Sequence, residues 1–435
     1  AFPCFIEHYG QKTPIYLYIF ARNSLLYFFR RKMQVAHFLL FNNRIRTLKI
    51  MIGDVDMDFN LSNEHKLLRK MMAEFTENEV KPIAAETDRT AQYPKDTIEK
   101  LFDLGVMGMC VPETYGGCGA DPLAAAICVE ELAKQCASTA DILATHNGLC
   151  CDPIMTYGTD AQKAKYLPML TKEHKVGAFA LTEPNAGSDA SKGQTEAYLD
   201  GDHYVMNGSK IFITNGYVAE VFVVFAMTDK SKGTKGISAF IVENTFPGFS
   251  VGKHEVKMGL HGSPTAEIVF QDCIIPKENL LGKEGQGFKI AMATLDGGRI
   301  GIAAQALGIA EGALSEAVSY TKGRAQFGKP ISKFQHNQFA LADMELFNEA
   351  GRLLTYQAAV MKGNGERYTK QAAEAKLFCS EHAMRTTTKV VQMFGGYGYT
   401  NDYPVERMMR DAKITEIYEG TSEVQRLVIS GNMDL

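Results

Sequence analysis

Apolar residues recur at helical spacing through the first third of the chain after Met57. The clearest case is a predicted helix over 60–80, whose apolar face carries Leu67, Leu68, Met71, Met72 and Phe75. Similar patterns predict helices over 94–107, 122–136 and 160–170. The glycine-rich stretch 111–121 is predicted to connect helices rather than to bind phosphate. Residues 57–176 are therefore expected to form a helical N-terminal domain.

The pattern changes near Gly177, where short apolar runs replace the helical spacing. Residues 204–216 are predicted to form a hairpin with Asn207-Gly208 as its turn, because Asn-Gly favours two-residue hairpin turns. Further strands are predicted from the apolar runs at 221–227, 237–243 and 266–276. Short strands at this spacing predict a compact β-barrel or sandwich over residues 177–287.

Long helical patterns return after Phe288. They predict three helices, marked by Leu307, Ala310, Leu314, Ala317 and Thr321, by Phe339, Ala342 and Leu346, and by Ala372, Ala375, Cys379, Ala383 and Val390. With a final helix near the C-terminus, residues 288–435 are expected to form a four-helix bundle. The predicted fold is thus mainly α with a central β domain, in the order helical, β, helical.

Glu419 lies where two patterns meet. The residues before it have no strong apolar period, and Gly420 behind it supplies backbone freedom. A helical pattern begins directly afterwards, with Thr421 or Ser422 as a suitable N-cap. A carboxylate at such a joint can be held rigidly and point into a cleft. Taken alone, a Glu-Gly pair is more commonly an exposed loop.

Composition narrows the class of protein. The chain has 435 residues, 46% of them hydrophobic and 22% charged, which is typical of a globular protein with a large core. A net charge of -4 argues against a nucleic-acid partner, because there is no strong positive field. The nine cysteines form no CxxC pairs, so we expect reduced thiols and no metal site.

Residues 1–56 do not match the rest of the chain. Their first fifty positions are rich in aromatic and basic residues and contain one acid, Glu7. Arg22 interrupts the apolar run well short of the roughly 20 residues that a membrane span needs. The expectation is that this segment lies outside the fold, with the natural start at Met57 or Met51. A mitochondrial targeting segment is the alternative.

Familiar nucleotide and hydrolase motifs are absent from the sequence. The run GKEGQG at 282–287 follows a loop and not a strand of a βαβ unit, so it is not a dinucleotide-binding fingerprint. There is no P-loop, HExxH or GxSxG pattern. A cofactor would have to be held by another architecture.

Six separated stretches resemble the acyl-CoA dehydrogenase family over residues 57–435, most closely its bacterial short-chain, butyryl-CoA type. They are FALTEPNAGSDAS (179–191), KIFITNG (210–216), LDGGRIGIAAQALGIA (295–310), RAQFGKPISKFQ (324–335), QMFGGYGY (392–399) and RDAKITEIYEGTSEVQRL (410–427). The resemblance implies FAD-dependent α,β-dehydrogenation of an acyl-CoA thioester, butyryl-CoA to crotonyl-CoA. It makes Glu419 the general base that removes the α-proton, while flavin N5 accepts the β-hydride.

The resemblance also assigns contacts to FAD, at Phe179, Thr182, Ser188, Phe212, Thr214, Arg324, Gln326, Phe327, Gln335, Gln392, Gly395, Gly396, Thr421 and Glu423. Arg324 and its neighbours would reach the FAD of an adjacent subunit. Taken alone, the threonines would be ordinary strand residues, Ser188 a turn serine and Arg324 a solvated helix-end arginine. Phe212 replaces the tryptophan common in the family, so we expect altered flavin shielding with retained binding.

Substrate contacts are assigned by the same resemblance to Ser188, Asp296, Arg299 and Gly420. Without it, Asp296 and Arg299 would be an exposed helix cap and its ion-pair partner. Isovaleryl-CoA and very long-chain relatives carry their base just before the arginine of the DxxR stretch. That position is Gly298 here, which favours a straight-chain substrate.

The expected partners are an acyl-CoA substrate and electron-transfer flavoprotein, with a homotetrameric assembly in a bacterial cytoplasm, or in the mitochondrial matrix if residues 1–56 are a transit segment. Three alternatives remain open, one of them a membrane-bound enzyme that rests on residues 1–50 alone. The same site could run reductively as a crotonyl-CoA reductase in an anaerobe, because both directions share one transition state. A non-catalytic flavin electron-transfer subunit is the third, although an intact Glu419 argues against it.

Overall fold

The structure, a computed structural model, describes residues 60–433. The predictions made for residues 1–56 lie outside the described residues. Within the described part, no helix has the length and apolarity that a membrane crossing requires.

The N-terminal part of the described chain is helical, as predicted. Its helices are α1 (Asn63–Phe75, continued by a π-helical turn at Thr76–Val80), α2 (Lys81–Thr90), α3 (Lys95–Asp103), α4 (Pro122–Ala133), α5 (Ala137–Ala144, continued by a π-helical stretch at Thr145–Cys151), α6 (Asp152–Tyr157) and α7 (Asp160–Thr171). Side chains near the helix N-termini cap several of these helices. Asp121 accepts from the Ala124 N–H at 2.8 Å before α4, and Thr159 with Gln162 forms a capping box at α7.

An eight-stranded sheet forms the middle of the chain. Its strands are β1 (Gly177–Ala180), β2 (Glu196–Asp200), β3 (His203–Thr214), β4 (Val221–Met227), β5 (Ile237–Glu243), β6 (Phe249–His254), β7 (Thr265–Pro276) and β8 (Leu280–Leu281). The strand order is β6-β7-β3-β2-β4-β5-β8, and β1 pairs in parallel with β4. The continuous apolar runs become β4 and β5, which are buried along almost their whole length.

The predicted hairpin turn at Asn207-Gly208 is wrong. Both residues lie inside the single strand β3, and the hairpin joins β2 to β3 through Gly201 and Asp202. Asn207 instead bonds across to Asp272, its side-chain oxygen accepting from the Asp272 N–H at 2.8 Å. Gly208 has φ +143°, and the pairing register between β3 and β7 shifts there. The glycine therefore allows a bulge-like irregularity within β3 and not a turn.

The C-terminal part returns to helices, as predicted. They are α8 (Gly287–Gly323), α9 (Gln335–Gly363), α10 (Thr369–Phe394), α11 (Val405–Thr415) and α12 (Ser422–Ser430), with a short strand pair, Ala325–Gln326 and Lys329–Pro330, between α8 and α9. Glycines let α8 pack closely on α4. A Cβ at Gly308 would collide with the Glu130 carbonyl oxygen, and one at Gly312 with that of Lys134.

The second predicted helix exists as α9, but its marking residues face outward. Phe339 and Leu346 are exposed in the single chain, whereas Met344, Asn348 and Thr355 lie on the buried side. The third helix, α10, buries the predicted face, including Ala372, Cys379 and Ala383. The predicted fold class, helical domains on either side of a central β domain, is confirmed.

Candidate active site

The Glu419 carboxylate is carried on a tight joint between α11 and α12. Glu419 has φ +52° and Gly420 φ +97°, so two consecutive residues lie in the left-handed region. For a residue with a Cβ this conformation costs roughly 1–2 kcal/mol. Thr421 then caps α12 by accepting from the Val424 N–H at 3.3 Å, as its sequence position predicts. The short joint therefore fixes the direction of the carboxylate.

Side chains from three helices hold the backbone of this joint. Arg299 Nε donates to the Glu419 carbonyl oxygen at 3.4 Å. Gln425 Nε2 donates to the carbonyl oxygens of Glu419 at 3.2 Å and Gly420 at 2.8 Å. Lys376 Nζ donates to the Gly420 oxygen at 2.7 Å. These bonds offset the strain of the left-handed conformation.

The carboxylate itself is left without a partner. Glu419 Oε2 is closed off from solvent and has no hydrogen-bond partner among residues 60–433. It lies over Gly298 of α8, where an added Cβ would overlap Oε2 and would also meet Leu149 Cδ2 at 2.7 Å. A buried oxygen with unused acceptor capacity is available to a bound molecule.

The surroundings disfavour the charged form of this carboxyl. Burial raises the pKa of Glu419 to about 8, and the nearby Asp141 carboxylate adds to the rise, while Lys376 and Arg299 oppose it. Burial likewise raises the pKa of Asp141 to about 6, against a 2.7 Å hydrogen bond from Ser263 Oγ. A buried carboxyl of strongly raised pKa is a candidate general acid or base.

Asp296 and Arg299 form a pair, but Arg299 is not exposed. Arg299 Nη1 lies 2.6 Å from Asp296 Oδ1, and Thr369 Oγ1 donates to Asp296 Oδ2 at 2.7 Å. Because the guanidinium is buried and bonds to the Glu419 carbonyl oxygen, it supports the joint that carries Glu419.

The residues predicted to meet the flavin ring come from two neighbouring segments. The Ile211 N–H donates to the Thr182 carbonyl oxygen at 2.9 Å, which brings Thr182 beside the end of β3 that carries Phe212 and Thr214. Phe212 is 61% exposed with φ +58°, while both threonines are half-buried. Ser188 lies exposed in the loop after Thr182.

Phe179 differs from these residues because its ring packs in the core, 5.0 Å from that of Phe225. Phe212 presents an aromatic face that the fold leaves open, and the half-buried Thr182 and Thr214 offer hydroxyls on neighbouring segments. These groups suit the stacking and hydrogen bonding of a planar cofactor.

A second set of predicted FAD residues lies elsewhere in the subunit: Arg324, Gln326, Phe327, Gln335, Gln392, Gly395 and Gly396. Along α8, Arg324 is 25 residues beyond Arg299, or roughly 37 Å at 1.5 Å per residue. On α10, Gln392 is 16 residues beyond Lys376, roughly 24 Å. Phe327 is 94% exposed with φ +54°. Measured along their helices, Arg324 and Gln392 therefore lie far from Arg299 and Lys376, which hold the Glu419 joint.

Two predicted FAD-binding residues lie on the C-terminal side of Glu419. Thr421 caps α12, and Glu423 lies exposed in the first turn of that helix. Because they are close to Glu419 in sequence, they do not belong with Arg324 and the other FAD-binding residues predicted far from it.

Sequence reasoning missed Asp141, Leu149, Lys376 and Gln425. A charged residue within an apolar helical face was an available signal for two of them. Lys376 shares the buried face of α10 with Ala372 and Cys379, and Asp141 is the charged residue in the otherwise uncharged α5. Nothing in the sequence marks Leu149 or Gln425.

Comparison with known proteins identifies the family. Models of the acyl-CoA dehydrogenase N-terminal, middle and C-terminal domains match residues 62–174, 178–273 and 285–433. The chain belongs to the acyl-CoA dehydrogenase family.

Individual relatives cover the same part of the chain. A short-chain specific acyl-CoA dehydrogenase of Clostridium acetobutylicum is 60% identical over 87% of this chain and 100% of its own length. The butyryl-CoA dehydrogenase structure from Megasphaera elsdenii is 55% identical, with a TM-score of 0.85 over 86% of this chain and 99% of its own. A chain solved in work on the electron transferring flavoprotein of Acidaminococcus fermentans is 57% identical, with a TM-score of 0.85 over 86% and 98%.

Proposed function

We propose that this protein is an FAD-dependent short-chain acyl-CoA dehydrogenase, converting butyryl-CoA to crotonyl-CoA with Glu419 as the base. The observation that carries the proposal is the unpaired, buried Oε2 of Glu419 on its fixed joint. The relatives named for short-chain acyl-CoA and butyryl-CoA support the substrate class.

Glu419 would remove the proton from the α-carbon of the thioester. The forming enolate needs a donor at its oxygen. Among the described residues the Glu419 N–H has no hydrogen-bond acceptor, so it is free to donate to the thioester oxygen. Arg299, Gln425 and Lys376 hold the peptide that carries both groups, and this fixes the base and the donor relative to each other.

Thr182, Thr214 and Phe212 would hold the flavin ring, and Ser188, Thr421 and Glu423 would contact other parts of FAD. When bound, FAD supplies the acceptor for the hydride that leaves the β-carbon. Phe212 in place of tryptophan still offers an aromatic face. The side chains that surround Glu419, with Leu149 beside it, keep water from the carboxylate.

Assembly and partners are part of the proposal. The roughly 37 Å along α8 between Arg299 and Arg324 supports a role for Arg324, Phe327 and Gln392 at the FAD of a neighbouring subunit. A homotetramer provides such neighbours. Electrons would pass to electron-transfer flavoprotein, in line with the relative solved in work on that flavoprotein. A bacterial cytoplasmic location agrees with the Clostridium relative.

The test is a chain-length series. Flavin absorbance of the FAD-loaded protein is followed without oxygen after adding acyl-CoA of four to sixteen carbons. The expected result is the fastest bleaching at four carbons, and bleaching slowed about 10²–10⁴-fold or more in Glu419→Gln. Bleaching confined to long chains would contradict the substrate class, and no bleaching would contradict the reaction. A second arm adds crotonyl-CoA to the reduced protein and follows the re-oxidation of the flavin. Its rate is compared with the rate of bleaching by butyryl-CoA, which ranks the reductive against the oxidative direction.

A further inference from the structure

Lys376 is a buried cation with no carboxylate partner. Its side chain is fully buried on α10 among Ala372, Ala373 and Cys379. Its ammonium makes a 2.7 Å hydrogen bond to the Gly420 carbonyl oxygen. No acidic group within 60–433 lies within ion-pair distance of Nζ. Burying a lysine in this way is costly, since an ammonium loses its hydration and gains one neutral acceptor.

Hydrogen bonding alone does not explain a charged residue at this position. Gln425 Nε2 already donates to the same Gly420 oxygen at 2.8 Å. A neutral donor would complete the remaining bond without the cost of a buried charge. The feature that a lysine adds to this joint is its positive charge.

The charges that face Glu419 come from each element packed around it. Asp141 on α5 is negative, Arg299 on α8 and Lys376 on α10 are positive, and Tyr418 precedes Glu419 in its own segment. Glu416 and Glu423 act on Lys376 from the same segment. Arg299 is paired with Asp296 at 2.6 Å, so a carboxylate offsets its charge. Of the two positive charges near Glu419, Lys376 is therefore the one that no direct ion pair within residues 60–433 compensates.

We propose that Lys376 is a positioning residue that holds the Glu419–Gly420 peptide and favours the ionised form of the Glu419 carboxylate against Asp141. Burial lowers the pKa of Lys376 to about 8, while the charge of Glu419 favours its charged form. Asp141 and Lys376 thus act on the base in opposite directions. The inference deepens the proposed function, because it concerns the group that takes the substrate proton.

The test follows the protonation of Glu419 itself. In the FAD-loaded protein without substrate, the infrared carbonyl band of the protonated carboxyl is assigned by its loss in Glu419→Gln. The band is then titrated between pH 5 and 10 in the unaltered protein, Lys376→Gln, Lys376→Arg and Asp141→Asn. Lys376→Gln keeps an amide donor for the Gly420 oxygen. Lys70→Gln, on the exposed side of α1, is the matched control for loss of a lysine charge.

The expected midpoint rises by about one pH unit or more in Lys376→Gln and falls in Asp141→Asn. Lys376→Arg and Lys70→Gln keep the midpoint of the unaltered protein. An unchanged midpoint in Lys376→Gln overturns the proposal, even if that variant turns over slowly, because slow turnover alone is what a purely structural lysine predicts.

The titration needs no turnover, so it is independent of the proposed reaction. If butyryl-CoA fails to bleach the flavin while the midpoints move as expected, the proposed function is wrong and the role of Lys376 in Glu419 protonation stands. Where bleaching occurs, its rate at pH 7 is expected to fall about tenfold in Lys376→Gln and to recover at pH 9. A rate loss that is equal at both pH values would contradict the proposal.

Discussion

Gly298 faces Glu419 so closely that the position of its missing Cβ is occupied by the Glu419 carboxylate. The two positions at which the family resemblance places a catalytic base therefore share one volume. A side chain at 298 and a carboxylate directed from 419 exclude each other sterically. The observed position of the Glu419 carboxylate therefore requires a glycine at 298.

Substitution of Gly298 by alanine tests this exclusion. Alanine inside a helix normally stabilises by about 1 kcal/mol over glycine. In Gly298→Ala the new methyl group displaces the Glu419 carboxylate, and a shift of about 1 Å is expected to lower kcat about 100-fold. Gly301→Ala is the matched control, since its Cβ would meet Ala144 Cβ at an ordinary 3.5 Å. Equal activity in the two variants would show that the carboxylate has room to move.

Loss of the base itself should separate binding from chemistry. Glu419→Gln keeps the size of the side chain and removes its proton affinity. We expect FAD and acyl-CoA to bind while turnover drops about 10²–10⁴-fold or more. Steady-state turnover, together with the spectral change on adding butyryl-CoA, measures both. Turnover near that of the unaltered protein would require a different base.

The pH dependence follows from the raised pKa of Glu419. With a pKa of about 8, the carboxyl in the empty site is mostly protonated below that pH and cannot act as a base. In the dehydrogenation direction kcat/KM should therefore rise about tenfold per pH unit from pH 6 and level off above about 8. A profile that is flat from pH 6 to 9 would mean that free Glu419 titrates in its ordinary acidic range.

A buried ion pair supports the segment that carries Thr182. Lys210 Nζ lies 2.6 Å from Glu183 Oε1 and donates to the Leu181 carbonyl oxygen at 3.1 Å. Lys210→Met leaves the Glu183 carboxylate buried without its counter-charge, which should cost about 3–5 kcal/mol in the free energy of unfolding. Urea unfolding measures this change, and flavin content after dialysis should fall because the segment loosens.

Lys192→Met, at an exposed lysine in the same region, is the control for the Lys210 experiment. It should retain both stability and flavin. If Lys210→Met matched that control, the ion pair would have no part in holding the segment.

Glu419 as the base, inferred from a run of family-like residues, stays a prediction. The sequence did predict the order of the helical, β and helical parts, because periodicity is a local property. It failed where a distant contact decides the outcome. Asn207-Gly208 has the composition of a turn, yet β7 pairs along the strand and the Asn207 side chain bonds to Asp272. The DxxR spacing of Asp296 and Arg299 is typical of a surface ion pair, yet Arg299 is buried and bonds to the Glu419 carbonyl oxygen. The sequence shows Lys376 as a charged residue on an apolar helical face. It does not show that the Gly420 carbonyl oxygen accepts its hydrogen bond.

The α8 helix carries both Gly298, under the base, and the Gly308 and Gly312 contacts with α4. A helix segment of this length moves nearly as a rigid body. A larger side chain at Gly308 or Gly312 would therefore shift α8 away from α4 and change the distance between Gly298 and the Glu419 carboxylate. Evolution or engineering could thus retune this enzyme from positions that never touch its substrate.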